Sequence, residues 1–67
     1  MKINEIEIRG SARLSKEKSE RDLLTEVECS SIVKEIKNLT GLIYIIDSEI
    51  EDIEGNSASF RIVLGNE

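Results

Sequence analysis

Five acidic residues between positions 47 and 54 are the first candidates for chemistry, because clustered carboxylates can bind calcium. A helix-loop-helix calcium loop needs oxygen ligands at loop positions 1, 3, 5 and 12 and a glycine at position 6. Counted from Asp47, position 6 is Asp52 and position 12 is Ala58, so the spacing fails. Charges along an exposed strand also prevent unwanted pairing between sheet edges. We therefore predict no metal site, and we interpret the run as a solvated acidic strip, with partner binding as the alternative.

Three arginines are the second candidates: Arg9, Arg13 and Arg61. They fall on the polar alternation of the first and last predicted strands, so they converge if those strands are neighbours. Guanidinium clusters suit a phosphate or carboxylate ligand. Glu5 and Glu7 share this face, and cross-strand ion pairs are therefore the simpler interpretation. Anion binding by the three arginines stays open as the alternative.

The single cysteine, Cys29, is a weak candidate nucleophile. The chain contains no histidine to activate it, and the nearby Glu26 and Glu28 would raise a thiol pKa. We expect a small buried core residue instead. The sequence also lacks a serine-histidine-aspartate set, a phosphate-binding glycine loop and a dinucleotide fingerprint. It therefore predicts neither an enzyme nor a cofactor.

A half-buried strand is predicted over residues 2–14, where apolar and polar residues alternate. Gly10 in its middle suggests a bulge or bend. Residues 15–21 carry no apolar side chain and indicate an exposed connection.

Residues 22–29 fit two interpretations. Ser19 and Asp22 resemble a capping box, which would begin one long helix over residues 19–39. As a strand, the same residues place Leu23 and Val27 on one face. We favour the strand, because a single helix would step its apolar stripe five residues, from Val27 to Ile32, which breaks the helical period.

From residue 31 the pattern predicts an amphipathic helix over 31–40, with Gly41 as its left-handed end. A central strand follows over 42–53, then a turn at 54–57 and a last strand over 58–64. The expected fold is one α+β domain over residues 1–67, with a small antiparallel sheet and one short helix. The expected order is β-β-α-β-β, and the alternative is β-α-β-β with the longer helix.

Self-association is predicted from size and from the run Leu42–Ile46, which is apolar on both sides. A chain of 67 residues buries only about 60% of its unfolded surface, and one cysteine without histidine provides neither a disulfide nor a zinc site. The helix is expected to cover one sheet face through Ile32, Val33, Ile36 and Leu39. The remaining apolar residues predict an interface between copies: Ile43, Tyr44, Ile45 and Val63.

The net charge of −5 and the pI near 4.7 argue against general binding to nucleic-acid phosphates. They favour a basic partner surface. No apolar stretch approaches the length of a membrane span, and the N-terminus shows no signal-peptide pattern. We therefore expect a cytoplasmic protein.

The layout resembles that of YonK-type small prophage-encoded proteins. The points of likeness are an opening strand that ends in a glycine (residues 6–10), a stretch leading into a short amphipathic helix (residues 27–39), and Gly41 before the next strand. The resemblance implies a small, self-associating phage protein. A dodecin-like flavin-binding shell is also a small sheet-plus-helix unit. This chain lacks the tryptophan for a flavin stack, and its segment between Gly10 and the central strand is too long.

These observations predict a non-enzymatic, self-associating binding protein, in the form of a phage-encoded inhibitor that presents an acidic surface to a host protein. The first alternative is an oligomer that sequesters a small anion such as a nucleotide through the three arginines. The second alternative is a structural subunit of a larger assembly.

Overall fold

The computed structural model describes residues 4–66 and has an elongated form, 42 × 18 × 16 Å. Mixed α+β structure is confirmed, but the predicted order is wrong, because the chain folds as β-α-α-β-β. Residues 2 and 3 of the first predicted strand lie outside the described residues. Neither helix in the described part is long and apolar enough to cross a membrane. The elements are β1 (Glu5–Arg13), α1 (Glu20–Glu28), α2 (Ser31–Thr40), β2 (Tyr44–Glu54) and β3 (Ser57–Gly65).

The preferred strand over residues 22–29 is a helix. The hydroxyl of Ser19 accepts a hydrogen bond from the backbone N–H of Asp22 at 3.1 Å, so the capping signal is real. The apolar stripe shifts by five residues because the first helix ends at Cys29. Ser30 then caps a second helix, where its hydroxyl accepts a hydrogen bond from the N–H of Val33. The single long helix of the alternative order is therefore wrong as well. Cys29 ends α1 at this break and is exposed, contrary to the expected core position.

Helix α2 has its predicted bounds and ends at Gly41, whose φ of 75° is the left-handed conformation that favours glycine. Its orientation differs from the prediction. Val33 and Ile36 face the sheet, whereas Ile32 and Leu39 are 64% and 85% exposed. The buried side of the helix is therefore centred on Val33 and Ile36 and excludes the other two residues of the predicted stripe. Ile32 and Leu39 therefore do not cover the sheet.

The sheet has the order β1-β3-β2, and both neighbouring pairs are antiparallel. The last strand is therefore central, and β2, the expected central strand, lies at an edge. Since β1 and β2 both run antiparallel to β3, they run parallel to each other, and the two helices connect them across one face. The predicted turn at residues 54–57 joins β2 to β3.

The core lies between the helices and one face of the sheet. Its fully buried members are Val33, Leu42, Ile62 and Leu64. Gly10 belongs to this face, and β1 pairs with β3 without a register shift, so the predicted bulge at Gly10 is absent. The glycine is needed because a Cβ there would lie 2.7 Å from Cζ of Phe60. Partly buried side chains surround the core: Ile6, Ile8, Val27, Ile36, Ile45 and Phe60.

Candidate functional site

The sheet face opposite the helices, called the open face below, is the first candidate surface for binding. Strand register assigns its members, because residues directly opposite each other in a ladder point to the same side. Neither described helix lies on this side, since both contribute their apolar residues to the core on the other one. The register places these residues on the open face: Glu5, Glu7, Arg9, Ser11, Arg13, Tyr44, Asp47, Glu49, Asp52, Glu54, Ser57, Ser59, Arg61, Val63 and Gly65.

The open face carries most of the net charge of the protein. Glu51 joins it through a β-bulge and reaches Arg9, with 3.7 Å between Oε2 and Nη2. The face then holds seven carboxylates and three guanidinium groups, a net charge of −4 out of the −5 of the whole chain. A surface with this imbalance attracts cationic groups and repels anions.

Arg61 on the central strand organises the carboxylates around it. Its Nη1 donates to Asp47 Oδ2 at 2.8 Å and to Glu49 Oε1 at 3.2 Å, and its Nε lies 3.4 Å from Glu7 Oε2. The hydrogen bond to Asp47 is the main reason that the pKa of Arg61 is raised above its ordinary value. Cross-strand ion pairing, the simpler interpretation of the arginines, is therefore present on this face.

Arg9 lies directly opposite Arg61 and also pairs with acidic groups. Its Nε donates a hydrogen bond to Glu7, which is the main cause that lowers the pKa of Glu7 below its ordinary value and raises the pKa of Arg9. Arg13 pairs in register with Ser57, four residues farther along β1. At about 3.3 Å per residue, this separates Arg13 from Arg9 by about 13 Å. The fold brings together two of the three arginines, and both contact carboxylates.

The four predicted interface residues divide into two groups. Ile43 and Tyr44 are 60% and 53% exposed. Ile45 packs against the core opposite Leu64, and Val63 is buried within this chain. The alternation of the strand separates the two groups, because Tyr44 and Ile45 point to opposite sides of the sheet.

The sequence pattern missed Ile46 as a surface residue. The register shift between Ile45 and Asp47 turns its side chain to the open face, where it lies over Gly65 and is 44% exposed. A bulge leaves no mark in a continuous apolar run, but a glycine in the last strand was a signal that a neighbour approaches closely. Ile43, just before β2, and Tyr44 and Ile46, at its start, are three exposed apolar side chains close together in the chain, called the apolar end below.

Metal binding finds no support in the described part of the chain. Residues 4–66 contain no group of three or more cysteine, aspartate or glutamate side chains arranged to hold a metal ion. Two carboxylates of the acidic run, those of Asp47 and Glu49, share the guanidinium group of Arg61 instead.

Comparison with known proteins adds no relative: no protein-family model, no curated protein and no solved structure matches the chain. The open face and the apolar end are therefore the two candidate binding surfaces.

Proposed function

We propose that this protein is a non-enzymatic, self-associating binding protein whose open face binds a basic surface of another protein. The observation that carries the proposal is the uncovered open face, with four of the five net negative charges of the chain. In this proposal the protein is a phage-encoded inhibitor, and the basic surface belongs to a host protein.

Self-association is assigned to the apolar end. Ile43, Tyr44 and Ile46 lie close together in the chain, and each is at least 44% exposed. A grouped apolar surface on a small protein usually marks an interface, and tyrosine is enriched at the centres of such contacts. Association at this end leaves most carboxylates of the open face accessible to a partner.

Anion sequestration gains no support from the geometry. The guanidinium groups of Arg9 and Arg61 already form ion pairs with four carboxylates, those of Glu7, Asp47, Glu49 and Glu51. A phosphate ligand would have to displace these carboxylates and enter a negative potential.

The structure removes one argument against the dodecin-like shell and adds none for it. The long segment between Gly10 and β2 was an argument against it, yet this segment forms two consecutive helices whose apolar residues join one core on the sheet. The extra length therefore does not form a separate unit, because both helices belong to the same sheet-plus-helix domain. The missing tryptophan still opposes flavin stacking. Titration with riboflavin tests this candidate: quenching of flavin fluorescence that saturates with protein supports it, and unchanged fluorescence counts against it.

The acidic surface is tested by affinity capture with three forms of the protein. Glu49→Gln combined with Asp52→Asn removes two charges from the open face. The matched control, Glu17→Gln combined with Glu20→Gln, removes two charges from exposed positions before and at the start of α1. We expect a basic protein to be retained by the wild type and the control and lost with the open-face variant. Equal retention by all three forms would contradict the proposal.

Self-association is tested by sedimentation velocity. Ile43→Ser combined with Tyr44→Ser should weaken association, because it removes apolar area from the apolar end. Ile32→Ser is the control, since Ile32 is equally exposed but lies on α2. A wild-type protein that stays monomeric at every concentration would rule out self-association altogether.

A further inference from the structure

Within residues 4–66, the outer edge of β1 exposes a continuous row of backbone groups that pair with no other strand. The N–H of Leu14 donates to the carbonyl of Asn56 at 2.7 Å and so continues the β1–β3 ladder past its last paired residue. In an antiparallel ladder, hydrogen-bonded and non-hydrogen-bonded pairs alternate. The backbone N–H and C=O groups of the even-numbered residues of β1 therefore form hydrogen bonds with β3. The N–H and C=O groups of the odd-numbered residues, from Glu5 to Arg13, point away from the sheet.

The two edges of the sheet differ in protection. β2 pairs with β3 through two register shifts, between Ile45 and Asp47 and between Ile50 and Asp52. Such bulges twist an edge and hinder pairing with another chain. β1 pairs with β3 over nine consecutive residues without a shift. A regular edge of this length is a template for an added strand.

The order of charges along β1 identifies the strand that fits this edge. Glu5 and Glu7 come first, and Arg9 and Arg13 follow. A second copy of β1 that runs antiparallel therefore brings its basic half to the acidic half of the first. We propose that β1 pairs with β1 of a second copy of this chain across a two-fold axis. This inference rests on the proposed self-association and adds a second contact to the one at the apolar end.

Charge also selects the register of this pairing. With the axis at Ile8, Glu7 of each copy lies opposite Arg9 of the other, and both pairs join residues whose backbone groups point outward. An axis at Glu7 or at Arg9 would place that charge opposite itself. An axis at Gly10 would also pair an acid with a base, Glu7 with Arg13, but it would place Glu5 opposite Ser15, beyond the end of β1, and would put no side chain at the centre.

The same register extends the core. Ile8 is half-buried at the edge of the core, and its copy would lie across the axis with about 4.5–5.5 Å between Cβ atoms. The product is a six-stranded sheet with all helices on one side and two open faces on the other. Because the apolar end lies on β2, at the opposite edge, each copy keeps that second surface free, and the two contacts together can build a larger assembly.

Complementary charge variants test the pairing by sedimentation velocity. In the Arg9→Glu variant, positions 7 and 9 of β1 are both acidic. In the Glu7→Arg variant, both positions are basic. Each variant alone should weaken self-association by about tenfold or more, because like charges then face each other. An equal mixture should restore it, since every facing pair again joins an acid to a base. The experiment belongs at about 0.15 M salt, where the mutual repulsion of two acidic faces is largely screened.

Matched controls separate pairing from general electrostatics. Arg21→Glu and Glu20→Arg make the same charge changes on the exposed surface of α1. Neither control, alone or mixed, should alter self-association. If both pairs of variants behave alike, the β1 pairing is wrong.

Amide hydrogen exchange of the unaltered protein gives a second, residue-level measurement. Raising the concentration from about 20 µM to about 1 mM favours the associated form by mass action. The amides of Glu5, Glu7, Arg9 and Ser11 should then exchange about tenfold more slowly, because only pairing with another strand protects them. Fast exchange at these four amides in an associated sample would overturn the β1 pairing and leave self-association intact. A sample that stays monomeric would overturn both.

Discussion

The two faces of one sheet differ in what they contribute to the stability of the fold. The covered face carries fully buried side chains such as Ile62 and Leu64 beneath the helices. On the same strand, Arg61 points the other way and holds three carboxylates in solvent. Burial of apolar area stabilises a fold far more than exposed ion pairs do. For stability alone, therefore, the charge of the open face can vary, whereas the covered face must stay apolar.

The largest expected effect is on the covered face. Leu64→Ala should lower the free energy of unfolding by about 2–5 kcal/mol, because it removes a fully buried side chain and leaves a cavity. For a chain this small, that loss approaches the whole stability. Urea unfolding followed by circular dichroism measures it, and a largely unfolded variant at 25 °C agrees with the expectation.

Ser59→Ala is the control for this loss, because Ser59 is exposed on the open face of the same strand. It should change the free energy of unfolding by less than about 0.5 kcal/mol. Similar losses for both substitutions would mean that the two faces do not differ as the burial indicates.

The second-largest expected effect on stability comes from replacing either of two glycines by alanine. A Cβ at Gly10, on the covered face, would meet the ring of Phe60 at 2.7 Å, and the ring is held by the core. Gly10→Ala should therefore cost about 1–3 kcal/mol. A Cβ at Gly65, on the open face, would meet the far end of Ile46, a flexible and partly exposed side chain that can move. Gly65→Ala should cost less than Gly10→Ala in the same urea experiment, and the reverse order would contradict the comparison.

Much of the local structure was predictable, because its causes are local. The end of α2 at Gly41, the turn before β3 and the alternation of β1 all follow from backbone preference and side-chain period. The break between the helices, where Ser30 caps α2, falls at the strand-to-helix boundary that the pattern predicts. A five-residue step in an apolar stripe is equally compatible with two helices.

The site was harder to predict, because register and rotation are set by tertiary packing. Arg9 meets Arg61 only because β3 lies between β1 and β2, and strand order leaves no trace in the alternation of residues. The exposure of Leu39 depends on how α2 is rotated about its own axis, and the period of an apolar pattern does not fix that rotation. Ile46 reaches the open face through a bulge, which moves one residue out of the alternation that the sequence shows.

The smallest expected effect concerns Glu7 on the open face and depends on pH. Its pKa lies below the ordinary value of 4.5, chiefly because Arg9 donates a hydrogen bond to the charged form. A carboxylate with a lowered pKa stabilises the fold above its unfolded pKa, and this contribution is lost as pH falls through the folded pKa. Glu7→Gln should therefore lower the urea midpoint slightly at pH 7, and the difference from the wild type should disappear in acid, where Glu7 is neutral too. Measured at low micromolar concentration, a difference that persists unchanged at acid pH would show that Glu7 acts through packing, and that the open face contributes to stability as the covered face does.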